Sequence, residues 1–330
     1  MQSSAQTAGA NTVLRIGTRG SPLALAQAGQ VRERLAAAHG LPAERIELEV
    51  IRTTGDMIRD RPLAQVGGKG LFTKEIEEAL LAGEIDLAVH SAKDMPTVLP
   101  GGLGIAAVLP REDVRDAFIS RKATTLQNLP RGAVVGTASL RRQALVKRLR
   151  PDLSVVTLRG NVETRLRKLD AGEVDATLLA LAGLKRLGLT AAATALLAVD
   201  EFPPAVGQGI IALEARAEDS RTLAMLAAVN HLDSLTALAA ERAFLTVLDG
   251  SCRTPIAGHA VIDGRRVRFR GLIAKPDGSE VHETQREGDV AEAFALGEDA
   301  GRELKARAGA DFFSPLPNPP PQAGEGREGA

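Results

Sequence analysis

The sequence predicts an α/β protein: two lobes built on mixed, largely parallel sheets, followed by a smaller α+β domain. Three observations carry this. Strand and helix patterns alternate from residue 13 to residue 181 at the spacing of βα units. The local order strand, Gly-Thr turn, serine cap, helix occurs twice, in GTRGSPLALAQ (17–27) and in GTASLRRQAL (136–145). From residue 234 the texture changes to one helix, three strand-like runs around Asp-Gly turns, and a closing helix.

Taken in order, residues 13–17 (VLRIG) read as a short apolar strand. Ser21 stands at an N-cap position with Pro22 at the first helical residue, and the helix that follows stops at Gly40. Residues 46–53 alternate as a strand, 72–82 are amphipathic at helical spacing, and 85–90 form a buried strand. The pattern restarts with strands at 133–137, 154–158 and 175–181 and helices at 139–149 and 162–169. AGEIDLA (82–88) and AGEVDAT (171–177) repeat a helix stop followed by a strand, which strengthens the internal duplication. The first half alone carries a long insert, 54–70 (TGDMIRDRPLAQVGGKG), read as a glycine-rich lid loop. Residues 190–199 (TAAATALLAV) read as a packed helix. In the last domain a helix at 234–248 precedes strands at 256–262, 266–274 and 280–284, with a helix at 290–308.

Composition narrows the functional classes. The chain has 330 residues, 41 Lys+Arg against 41 Asp+Glu, one Cys, no Trp, no Tyr and 8 Phe. The length suits two or three domains, each with its own core. One cysteine excludes an internal disulfide framework and a Cys-rich zinc module. Zero net charge leaves no whole-molecule field for polyanions, and scarce aromatics argue against base-stacking platforms. No partnership with nucleic acid or membrane is therefore expected. The first residues lack a basic segment followed by an apolar one, and no run approaches a membrane span, so a cytoplasmic location is expected. Residues 1–10 and the Pro/Gly-rich 314–330 have too little apolar content to fold and are expected to be disordered.

The even charge is unevenly distributed. Residues 131–190 carry twelve Lys+Arg against five Asp+Glu. Arg141, Arg142, Arg159, Arg165 and Arg186 follow strand ends, where open α/β sheets bind ligands and where arginine grips carboxylate or phosphate as a fork. Arg19, beside Ser21, occupies the matching turn of the first half. An anion site and a solvated basic face are both compatible with these positions; the latter suits Lys147, Arg148, Arg150, Arg167 and Lys168. Lys93 and Asp94 lie just past the strand 85–90, placed to meet a ligand, although Asp94 could equally cap the turn. His90 reads as a satisfied core histidine. Cys252 sits in the polar turn DGSCRTP beside Arg253, which favours the thiolate and a covalent attachment role over the small buried hydrophobe that most lone cysteines are. GGKG (67–70) lacks the spacing of a phosphate-binding loop, so Lys69 is read as a lid lysine.

Together the stretches RIGTRGSPLALAQ, VGGKGLFTKEIE, DLAVHSAKDMP, REDVRDAF, VGTASLRRQ, LRGNVETRLRKLD, LAGLKRLGL, PAVGQG and GSCRTPIAG closely resemble the porphobilinogen deaminase (hydroxymethylbilane synthase) family. They occur in the family's order over residues 13 to 313. The resemblance implies two lobes like those of type II periplasmic binding proteins, with lobe 1 at 11–110 and 208–228, lobe 2 at 111–207, and a cofactor-carrying α+β domain at 229–313. It implies a dipyrromethane cofactor joined by a thioether to Cys252, and stepwise condensation of four porphobilinogen molecules with loss of ammonia. Hydrolysis would then release linear hydroxymethylbilane. On the family pattern Arg19, Ser21, Lys69, Lys93, Thr137, Ser139, Arg141, Arg142, Arg159, Arg165, Arg186 and Gln208 bind cofactor or substrate carboxylates. Asp94 is implied as the catalytic carboxylate and Phe72 as part of the lid. No metal is implied, and a monomer is expected. Gln65 stands where many members carry lysine, so Lys69 would act alone. The rival classes are a non-enzymatic anion receptor on the same scaffold, disfavoured by the Cys252 turn, and a nucleic-acid binder, disfavoured by neutrality.

Overall fold

The computed structural model describes residues 12–57, 70, 72–248 and 254–313. Three sheets organise it. The first has the order β2-β1-β3-β10-β4, from β1 (Leu14–Thr18), β2 (Ile46–Val50), β3 (Leu87–Ser91), β4 (Leu103–Val108) and β10 (Ile211–Arg216). The second has the order β7-β6-β8-β5-β9, from β5 (Asp116–Ser120), β6 (Val134–Gly136), β7 (Ser154–Val156), β8 (Ala176–Ala180) and β9 (Ala195–Leu196). The two match strand for strand: three parallel strands, then an antiparallel strand, then an edge strand paired to it. The antiparallel strand is β10 in the first sheet and β5 in the second. Each is supplied by chain arriving from the other lobe, so the chain crosses twice, before β5 and before β10.

The helices lie where capping chemistry starts them. Helix α1 (Pro22–His39) begins at Ser21, whose side chain accepts from Ala24 N, and ends at Gly40 with φ 60. After α2 (Thr54–Met57) and α3 (Lys74–Leu81), helix α4 (Leu140–Leu149) repeats the plan from Ser139, which accepts from Arg142 N. Helix α5 (Val162–Asp170) is capped by Asn161. Helix α6 (Leu181–Arg186) follows β8 directly. The stops after α3 and α5 are both left-handed glycines, Gly83 and Gly172. Leu14, Ile16, Val31, Leu35, Leu87 and Leu213 form the core of the first lobe. Phe118, Val135, Leu145, Leu178 and Phe202 form that of the second.

Residues 190–199 are not a helix. They form a 3-10 turn at Thr190–Ala192 and the short edge strand β9, paired to Ala117 and Phe118. Pairing to β5 overrides the helix propensity of an alanine-rich run.

After α7 (Ser220–Ala227), helix α8 (Leu232–Val247) packs against α9 (Ala293–Ala308) and a three-stranded antiparallel sheet, β11 (Ile256–Asp263), β12 (Arg266–Ala274) and β13 (Val281–Asp289). The last strand runs further than its sequence pattern indicated, because β12 pairs with it to Asp289. Phe244 and Phe269 meet at 5.1 Å in this third core. Ala257, Leu272 and Ala274 also enter the second lobe's core, while Leu238 packs with Ala92, Met95 and Ile210 of the first. The third domain thus braces both lobes. Among the described residues no single helix is long and apolar enough to cross a membrane.

Candidate active site in the cleft between the lobes

The turn after β1 puts Arg19 and Ser21 on one cavity together with Phe72, His90, Ser91 and Asp94. The Arg19 guanidinium carbon lies 4.2 Å from the Phe72 ring centre. Asp94 ends a 3-10 turn, Ala92–Asp94, that continues β3 and leaves its carboxylate exposed to the cleft. A second cavity shares Gln27 and Ser91 with the first and is lined by Lys93, Arg186, Gly207 and Gly209. Gln27 and Ser91 hold one another by two hydrogen bonds, 2.9 and 3.1 Å.

The Lys93 turn is fixed by the chain returning from lobe 2. A side chain on Gly207 (φ 71) would sit 3.1 Å from both the Ala92 carbonyl carbon and Lys93 N, and one on Gly209 would fall 2.3 Å from Glu112 O. Only glycine permits the close approach. Lys93 Nζ donates to Gln208 Oε1 at 3.4 Å. The Lys93 side chain is open to water, yet its ammonium stands in the cleft with protein around it. Desolvation there, with repulsion from Arg142 and Arg141 and only partial relief from Asp94 and Asp116, pushes its pKa down to about 8.

The second lobe uses its matching turn differently. Thr137 is buried and its Oγ1 accepts from Ser139 N at 3.1 Å. Arg141 and Arg142, each 5% exposed, turn inward rather than standing free at the helix tip. Arg141 donates to Asp116 Oδ2 at 2.6 Å and to Pro203 O at 2.7 Å. Arg142 donates to Asp116 Oδ1 from Nη2 at 2.7 Å and from Nε at 3.2 Å, and to Leu178 O at 2.9 Å. The cause is a carboxylate with no exposure at all: burial alone would raise the Asp116 pKa, but the two guanidiniums outweigh it and hold it well below the usual range.

Arg165, on α5, donates from Nε to Gly160 O at 2.9 Å. Burial and the charges of Arg142 and Arg159, opposed by Asp94, lower its pKa to about 10, so it stays cationic at neutral pH. Asp94 of the first lobe therefore acts on cations from both sides of the cleft. Arg186, at the end of α6, donates to Gly209 O at 2.7 Å, and burial brings it to about 10 against the pull of Glu112. Lys69 and Cys252 lie outside the described residues; Cys252 falls between the end of α8 and the start of β11.

Sequence reasoning left out Asp116 as a partner. The signal was present, because an aspartate opening the otherwise apolar run DAFIS needs a buried counter-charge. A second omission is Arg111. It donates to Glu241 Oε1 at 2.5 Å and to Gln208 O at 2.9 Å, while Glu241, on α8, also accepts from Gly207 N and Ala260 N. That pair ties both lobes to the third domain. His90 is buried, with Nε2 3.0 Å from Glu214 Oε2 on β10.

Two family models match the chain: "Porphobilinogen deaminase, dipyromethane cofactor binding domain" over residues 14–224, and "Porphobilinogen deaminase, C-terminal domain" over residues 234–306. The chain belongs to the porphobilinogen deaminase family. Porphobilinogen deaminases of Nitrobacter hamburgensis and Nitrobacter winogradskyi are each 63% identical to it over 314 residues, 95% of this chain and 98% of each relative. Among solved structures, a periplasmic substrate-binding protein of an ABC transporter from Coxiella burnetii aligns at 16% identity and a TM-score of 0.42. The alignment covers 68% of this chain and 94% of that one. A nutrient binding protein from Burkholderia cenocepacia aligns at 16% identity and 0.41, over 65% and 90%. Membership of the porphobilinogen deaminase family makes the chain a transferase of tetrapyrrole biosynthesis that carries a dipyrromethane cofactor-binding domain and acts on porphobilinogen.

Proposed function

We propose that the chain joins four porphobilinogen molecules head to tail in this cleft, each with loss of ammonia, and releases linear hydroxymethylbilane by hydrolysis. Lobe 1 comprises 11–110 with 208–228, lobe 2 comprises 111–207, and the third domain, 229–313, carries Cys252 as the thioether anchor of dipyrromethane. The residues fit such a group. Around Lys93 and Arg165 the electrostatic neighbours are Arg141, Arg142 and Arg159 against Asp94 and Asp116, so cations exceed carboxylates by five to two among the described residues. An excess of forked cations in a partly desolvated cleft suits a ligand whose periphery is all acetate and propionate.

Lys93, Arg142, Arg159 and Arg165 would hold the inner carboxylates, while Arg19, Ser21 and Arg186 receive those of the incoming porphobilinogen. When bound, dipyrromethane supplies the electron-rich free pyrrole carbon that becomes the acceptor end. Asp94 has the charge needed as the aminomethyl C–N bond breaks and positive charge spreads over the pyrrole: a carboxylate stabilises that charge and can receive and return a proton. Phe72 lines the mouth of the site beside Arg19, and Lys69, which lies outside the described residues, is assigned to the lid. The protein acts as a cytoplasmic monomer.

The exposed Asp94 carboxylate, facing Lys93 on its own lobe and Arg165 on the other, carries this reading. Asp94→Ala should fold, load its cofactor and bind porphobilinogen while turnover falls about 10²–10⁴-fold. Near-normal hydroxymethylbilane formation by that variant would overturn the role.

A further inference from the structure

Asp116 opens β5 at the point where the chain first enters the second lobe. Its two oxygens receive four hydrogen bonds: one from Arg141, two from Arg142 and one, at 3.1 Å, from Gln208 Nε2. Gln208 lies on the segment by which the chain leaves that lobe. Its other N–H contact is Val114 O at 2.7 Å, and its oxygen takes Lys93 Nζ. One fully buried carboxylate therefore reaches two arginines of α4, both crossing segments and, through one amide, the lysine of the opposite lobe. The crossing segments are tied to each other at the same place, by Glu112 N to Gly209 O at 3.1 Å and Arg111 Nε to Gln208 O at 2.9 Å.

The arrangement fixes orientation as well as charge. Three N–H groups of Arg142, on Nε, Nη1 and Nη2, are already engaged, so the plane of its guanidinium is set before any ligand arrives. Arg142 is also the cation whose field reaches both Lys93 and Arg165. A guanidinium fork grips a carboxylate well only when coplanar with it, so the residue that sets the plane sets the grip.

We propose that Asp116 is the positioning residue of the cation cluster: it fixes the planes of Arg141 and Arg142 and, through Gln208, the reach of Lys93, and so determines how substrate and cofactor carboxylates are held relative to Asp94. This rests on the reading that those cations bind carboxylates.

The test compares wild type, Asp116→Asn and Gln208→Met as full-length chains, each weighed intact to score cofactor loading. A second readout is the pH titration of Lys93, followed by its rate of acylation with an amine-directed reagent and peptide mapping. Asp116→Asn should lower kcat/KM for porphobilinogen about 100-fold, as expected for misplacement of binding groups near 1 Å. The Lys93 midpoint should also move below about 8, because a neighbouring negative charge is gone. Gln208→Met keeps the Asp116–arginine contacts and removes the amide's bonds to Asp116, Val114 O and Lys93. It should raise KM about ten-fold, the loss of the hydrogen bond to the charged Lys93, with kcat little changed. A lowered melting temperature with wild-type kcat, KM and Lys93 titration in Asp116→Asn would mark a purely structural ion pair and overturn the proposal. If Asp116→Asn does not fold, unchanged KM and Lys93 titration in Gln208→Met overturn it instead. Failure of the wild type itself to make product would strike the functional reading, while the Lys93 titration would still report on Asp116.

Discussion

In the first lobe, the turn after β1 leaves Arg19 at the cavity mouth, half-buried and stacked 4.2 Å over Phe72, with Ser21 capping α1 behind it. In the second lobe the same strand, Gly-Thr turn and serine cap lead to Arg141 and Arg142, folded inward and clamped on Asp116. Backbone plan and capping chemistry are shared; what differs is the partner of each lobe's buried carboxylate, a histidine for Glu214 and two arginines for Asp116. In the first lobe the buried carboxylate of the matching antiparallel strand, Glu214 of β10, lies 3.0 Å from His90 of β3 instead, beside the neutral Gln27–Ser91 pair, and Arg19 lies over Phe72. Two similar turns can therefore give one cation stacked on an aromatic ring at the entrance and two clamped on a buried carboxylate at the base.

Several measurements could break that contrast. The largest effect should come from Arg142→Ala, which leaves Asp116 buried with fewer partners: unfolding free energy should drop by about 3–5 kcal/mol in denaturant titration. A loss below about 1 kcal/mol would mean that the clamp is not rigid. The turn glycines should separate next. A methyl on Gly136 would meet Leu158 Cβ at 2.8 Å and Val174 Cγ1 at 2.9 Å, atoms close to the backbone, whereas one on Gly17 meets the far end of Ile85 at 2.2 Å. Gly136→Ala should thus cost about 1–3 kcal/mol, and Gly17→Ala about 1 kcal/mol, the cost of moving one side chain off its preferred rotamer. Equal costs would argue that the two turns are equally accommodating. Arg19→Ala should change stability by only about 0.5–1 kcal/mol, as for a partly exposed cation–π contact, while weakening porphobilinogen binding.

The smallest effect is a slope. Lys93 is charged below about pH 8 and neutral above it, so anionic ligands lose one attraction as pH rises through that value. Porphobilinogen binding by Cys252→Ser, measured calorimetrically from pH 7 to 9, should weaken, and Lys93→Met should remove the dependence. For stability the sign is opposite: between about 8 and its usual 10.5 the folded chain binds fewer protons at Lys93 than the unfolded one, so this residue's contribution rises with pH there.

Much of this was legible in the sequence because the signals are local. Serine caps, Pro22 and the glycine stops fall within a few residues of what they control, so the βα units and their strand-end arginines could be placed before any coordinates. What was not legible depends on distant pairing. Arg141 meets a carboxylate 25 residues away, and Asp116 meets Gln208 at a separation of 92, joined only once both crossings are folded. The alanine-rich 190–199 misled for the same reason: its strand exists only because β5 offers an edge. Gln208 itself was found through the family motif PAVGQG, not through any property of a lone glutamine.

Intact mass is the sharpest check on the proposal that this arginine-lined cleft works on a dipyrromethane anchored at Cys252. The purified chain should weigh more than its sequence by one dipyrromethane unit, and Cys252→Ser should weigh what its sequence dictates and make no hydroxymethylbilane. A wild-type chain at plain sequence mass that still forms product, or a Cys252→Ser variant that retains the excess, would rule out Cys252 as the anchor.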